Sequence, residues 1–179
     1  MNVAIVYETL FGNTRTIAEA VAEGATEGAP AVLVTVVPVA DATPDTVQGA
    51  DLLVVGGPTH MRRMPTAQSR QKTLEAAAKA PRASAASLQS TPGTAGPGLK
   101  EWLDQLPDAL PGRRAAAFDT RYAFPLAGGA ANRIGRVLRR RGYRIEPQGG
   151  QGFVVKGYQG PLAAGERERA RAWGATLVH

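Results

Sequence analysis

A short apolar run, Val3 to Tyr7, leads through a polar loop, Thr9 to Thr14, into a stretch where Ile17, Val21 and several alanines recur at helical spacing. This is a buried strand feeding a helix. The pattern repeats along the chain. Ala31 to Val39 reads as a buried second strand, Asp51 to Val55 as a third ending in Gly56-Gly57-Pro58, and Arg113 to Asp119 as a fourth. A fifth is read in two pieces, Tyr143 to Glu146 and Phe153 to Val155, separated by a glycine-rich break. Helices are expected over 14–27, 67–80, 99–106, 127–141 and 164–177, with at most a short one in 41–48. Trp102, Leu106, Ile134, Leu138, Trp173 and Leu177 are the expected core-facing residues of the later ones. Strands alternating with helices predict an α/β fold, a parallel sheet with helices on both faces. Segment 80–98 is rich in Pro, Gly, Ser and Ala without a hydrophobic period, and reads as a mobile surface insertion in a single domain, 1–179.

In such a sheet, ligands bind beyond the carboxyl ends of the strands. The first of these loops carries Thr9, Leu10, Phe11, Gly12, Asn13 and Thr14. The first amides of a helix lack backbone partners and the dipole there favours an anion, while Gly12 lets backbone approach closely. That is the chemistry of a phosphate cradle. The same residue types also serve an ordinary N-cap. The loop lacks the Gly-Lys-Ser/Thr ending of a triphosphate loop and the three glycines of a dinucleotide turn.

These residues resemble the flavodoxin signature, whose places are filled by Ile5, Val6, Tyr7, Thr9, Gly12, Thr14 and Ala18. The resemblance extends to Gly56-Gly57-Pro58-Thr59-His60 and Phe118-Asp119-Thr120-Arg121, and covers nearly the whole chain. It implies a doubly wound five-stranded sheet in the order 2-1-3-4-5, with flavin mononucleotide (FMN) bound non-covalently. The Thr9–Thr14 loop would wrap its phosphate. Pro58, Thr59, His60 and Met61 would form the flavin-ring loop, where His60 either stacks or bonds to backbone. Asp119, Thr120 and neighbouring amides would meet the pyrimidine edge, with Arg121 also among the cofactor-binding residues, Tyr122 against a ring face and Gly128 turning the chain into the next helix. Asp119 as a helix cap and Tyr122 as a core residue are the structural alternatives. Met61-Arg62-Arg63-Met64 has no glycine where classical flavodoxins often turn a peptide toward the half-reduced ring, and it adds two cations.

The net charge is +6, with arginine far more frequent than lysine. Arg133, Arg136, Arg140 and Arg144 recur at steps of three and four residues, flanked by Arg139 and Arg141. The stripe is either a solvated helix face or a docking face for an acidic redox partner. Aromatics do not interleave it, so nucleic acid is not expected. Cysteine is absent, which excludes disulfides, cysteine nucleophiles and thiolate metal sites. No catalytic or metal-ligand constellation is read. Neither a leader nor a membrane-spanning run is read, and a cytoplasmic protein is expected. The expected function is an FMN-binding electron carrier. The alternatives are an FMN-dependent reductase or oxidase of a small acceptor, such as a quinone or porphyrin precursor, and a flavin-free interaction scaffold.

Overall fold

The computed structural model describes residues 1–59, 71, 75, 97–123, 129–157 and 159–179, with 147–149 described by backbone alone. The strands are β1 (Asn2–Tyr7), β2 (Leu33–Pro38), β3 (Leu52–Pro58), β4 (Arg114–Tyr122) and β5 (Arg144–Val155). The helices are α1 (Asn13–Gly28), α2 (Pro44–Gln48), α3 (Leu99–Gln105), α4 (Ala130–Arg140) and α5 (Glu166–Thr176). All neighbouring strands pair in parallel, in the order β2-β1-β3-β4-β5. Gln71 and Glu75 are helical, as expected over 67–80. The rest of that segment lies outside the described residues, as does the insertion expected over 80–98 apart from Pro97 and Gly98.

Side chains alternate along a strand, so each strand supplies both faces of the sheet. Val3, Ile5, Leu52, Val54, Ala116 and Phe118 pack against Ile17 and Val21 of α1 and Ala170 and Trp173 of α5. Ala4, Val6, Leu53, Val55, Ala115 and Ala117 pack on the other side, against Val47 of α2, Trp102 and Leu103 of α3, and Ile134 and Leu138 of α4. Burial on both faces is why these strands read as continuous apolar runs. Phe118, Phe153 and Trp173 meet edge to face or tilted, with centroids 6.1–6.2 Å apart.

Helices α1 and α5 touch backbone to backbone. A Cβ on Gly24 would lie 2.7 Å from the carbonyl carbon of Arg171, and one on Gly174 would lie 2.9 Å from that of Val21. Ion pairs flank this seam, Glu23 with Arg167 at 2.7 Å and Glu27 with Arg171.

Two expectations are corrected. The second strand is not buried: it is an edge strand paired only with β1, and Leu33 is 71% exposed. A β-branched run signals a strand but carries no information about its place in the sheet. The fifth strand is not two pieces but one, Arg144–Val155. Ile145 faces Ala115 and Gly150 faces Ala117, so the glycine-rich stretch is absorbed as a register shift while pairing resumes on either side.

Candidate functional site

The ends of β1, β3 and β4 converge at the carboxyl edge of the sheet, where side-chain bonds fasten their loops together. The Thr14 and Thr120 hydroxyls lie 2.9 Å apart and are both buried. The Thr59 amide donates to the Thr120 carbonyl at 2.9 Å, joining the residue after β3 to the end of β4. Thr59 Oγ1 accepts from the Ala130 amide and Asp119 Oδ2 from the Ala131 amide, both at 2.9 Å. The side chains of Thr59, just after β3, and Asp119, in β4, therefore cap the start of α4, whose own N-cap is Gly129. Asp119 is fully buried, and burial raises its pKa above the ordinary carboxylate range. The bond from Ala131, the Arg121 charge and the Thr59 hydroxyl pull the other way without cancelling that rise.

The start of α1 is built differently. Its N-cap, Gly12, sits at φ 82°, in the left-handed region that glycine reaches without strain. Among the described residues no side chain caps this helix, and its first turn holds no acid. A Cβ placed on Gly12 would meet nothing within 4 Å among the described residues, so the backbone there is open to approach. The ordinary side-chain cap is therefore not made among the described residues, and the dipole at such a helix start favours an anion. Thr9 and Leu10 are buried beneath the loop, and Phe11 and Asn13 are half-buried. Asn13 Nδ2 donates to the Gln159 carbonyl at 2.9 Å, bringing a fourth loop, after β5, onto the first.

Pro58 and Thr59 are half-buried at the end of β3, and Thr120 is buried beside Thr14. Arg121 turns back toward Asp119, and Tyr122 is 45% exposed at the end of β4, outside the core. His60, Met61, Gly128 and the Arg62–Arg63 pair lie outside the described residues. Sequence reasoning missed Glu8 and the Gln159 loop. Glu8 is buried, and its Oε2 accepts from the Leu99 amide at 2.7 Å, fixing α3 to the end of β1. A carboxylate directly after an apolar strand was the available signal for Glu8, and the Gly160-Pro161 turn was the one for the loop.

Helix α4 leaves the site carrying positive charge. Arg136, Arg139 and Arg140 are exposed on it, Arg133 is half-buried, and Arg144 is exposed at the start of β5. Among the described residues these five form no ion pair, whereas every other described arginine faces a carboxylate. A groove elsewhere, between α1 and β2, is lined by Glu19, Glu23, Val34 and Val36; it lies on the outer edge, away from the convergent loops. No helix among the described residues is long and apolar enough to cross a membrane.

Comparison with known proteins agrees with this arrangement. The family model described as Flavodoxin matches residues 5–173. No curated protein matches the chain by sequence. Among solved structures, oxidised Flavodoxin 1 from Bacillus cereus is similar at 17% identity and TM-score 0.65, over 99% of this chain and 97% of that one. A flavodoxin from the domain Archaea is similar at 18% identity and TM-score 0.64, over 99% and 96%. Two-electron reduced Megasphaera elsdenii flavodoxin is similar at 16% identity and TM-score 0.58, over 97% and 98%. At these identities the solved structures establish the fold, and the family model establishes the rest: the chain belongs to the flavodoxin family, a family of flavin-binding electron-transfer proteins.

Proposed function

We propose that the chain binds FMN non-covalently and works as a cytoplasmic electron carrier, exchanging electrons with a partner protein. The observation that carries this reading is the start of α1. A left-handed glycine, no side-chain cap, no acid in the first turn and open space meet where the helix dipole favours an anion. The FMN phosphate is that anion, and Thr9, Leu10, Phe11, Gly12, Asn13 and Thr14 would surround it. The ring would lie among Pro58, Thr59, His60 and Met61 on one side and Asp119, Thr120, Arg121, Tyr122 and Gly128 on the other. Thr14, Thr59 and Asp119 already have side-chain partners within the protein. Backbone groups of their loops are therefore the expected donors and acceptors toward the cofactor. Tyr122 offers an exposed flat ring for contact with the flavin. Bound FMN supplies the electron chemistry, and the protein supplies position and field. The arginines along α4 and at Arg144, which form no ion pair among the described residues, suit an acidic partner, because matched charge raises the encounter rate.

The test is a titration with FMN and with riboflavin, which lacks the phosphate. Each charge-assisted hydrogen bond contributes roughly 1.5–3 kcal/mol, so losing two weakens riboflavin by at least about a hundredfold. Equal affinities would overturn the cradle. Repeated turnover with a reduced nicotinamide and a quinone would instead assign the chain to the reductases.

A further inference from the structure

Arg121, near the carboxyl end of β4, occupies a slot shaped to its guanidinium. Its Nε lies 3.3 Å from Asp119 Oδ1. A Cβ on Gly152 of β5 would overlap the guanidinium, and one on Gly129 would overlap both Nη1 and the Asp119 carboxylate. Two glycines thus clear the space, and a carboxylate behind it orients the group. The order of charges across the slot matters. Asp119 is fully buried and also holds the Ala131 amide at the start of α4, whereas the Arg121 side chain is 27% exposed. Of the two charged groups the cation is therefore the more exposed. Its guanidinium stays charged at any working pH.

We propose that Arg121 is a fixed cation at the ring end of the cofactor site, and that its charge selectively strengthens the hold on reduced FMN. This rests on the FMN reading above. Reduction adds two electrons and one proton to the neutral ring, leaving it with one negative charge. A cation already held in place stabilises that charge without having to reorient, and does little for the neutral oxidised ring. The slot, rather than a flexible arm, is what makes the effect specific to Arg121.

The experiment measures the affinities of oxidised and dithionite-reduced FMN for the full chain and for three variants, anaerobically. Arg121→Gln should leave oxidised FMN within about twofold and weaken reduced FMN about tenfold, equivalent to about 30 mV in the two-electron potential. Arg121→Lys should keep most of the reduced-to-oxidised preference because it keeps the charge. Asp119→Asn should move the preference in the opposite direction, by removing the countercharge. If Arg121→Gln weakens both forms equally, or leaves the ratio unchanged, Arg121 is only a structural bracket and the proposal is overturned. If Arg121→Gln does not fold, Asp119→Asn decides alone, and an unchanged ratio there overturns it. Failure of the unaltered chain to bind oxidised FMN would overturn the FMN reading itself, a result distinct from an unchanged ratio.

Discussion

Replacing glycine by alanine should have opposite consequences on α1 and α4. At Gly24 the added Cβ would lie 2.7 Å from the Arg171 carbonyl carbon and closer still to its oxygen. Carbon atoms prefer about 3.5–4.0 Å, so α1 and α5 must part by roughly 1 Å. The obstacle is backbone, which has no rotamer to change. Parting the helices also loosens Trp173 against Phe118 and Phe153 and stretches the Glu27–Arg171 pair. Overpacking typically destabilises by about 1–3 kcal/mol, and the upper end applies here. Alanine recovers about 1 kcal/mol of helix propensity, leaving Gly24→Ala roughly 2 kcal/mol less stable. At Gly135, in the middle of α4, the same Cβ would meet nothing within 4 Å among the described residues. Only the propensity gain remains, so Gly135→Ala should be about 1 kcal/mol more stable. At this chain length 1 kcal/mol corresponds to about 2–4 °C. Thermal melts should therefore fall by roughly 4–8 °C for Gly24→Ala and rise by about 2–4 °C for Gly135→Ala. A neutral Gly24→Ala, or a destabilised Gly135→Ala, would refute the argument from close approach.

Two further outcomes follow from charge. Burial raises the pKa of Asp119 in the folded protein, so its contribution to stability is complete below its unfolded value and is lost as pH rises through the folded one. Asp119→Asn should therefore be more stable than the parent chain at neutral pH, with the difference closing as pH falls below about 4; urea midpoints at both ends check this. Replacing Arg136 and Arg140 together by Glu should slow association with an acidic redox partner and flatten its salt dependence, leaving FMN affinity unchanged; stopped-flow reduction across ionic strength checks this.

The α/β alternation was legible because parallel strands buried on both faces must be continuously apolar, and Val3–Tyr7 and Leu52–Val55 are. The edge position of β2 was not, because Leu33–Pro38 has the β-branched composition of an interior strand while pairing on one side only. The chemistry of the loops was legible as a set of small polar residues around Gly12. Their individual partners were not. Asn13 finds the Gln159 carbonyl 146 residues away, Glu8 the Leu99 amide 91 away, and Thr59 the Ala130 amide 71 away. Hydroxyl and amide side chains satisfy a neighbouring loop as readily as a ligand, and only the folded arrangement decides between them.

The capping of α4 by Thr59 and Asp119 has a consequence for how distant events are joined. The amides of Ala130 and Ala131 tie the first turn of the arginine-bearing helix to the loops after β3 and β4. The helix then runs on for about 16 Å, at 1.5 Å per residue. A protein that grips its outer face and a small molecule that orders those loops thus act on one rigid lever from its two ends. If either shifts the lever, the free energy of coupling is shared: whatever factor the small molecule applies to the protein's affinity, the protein must return to the small molecule's. Docking strength measured with the cofactor present and absent would read that factor directly.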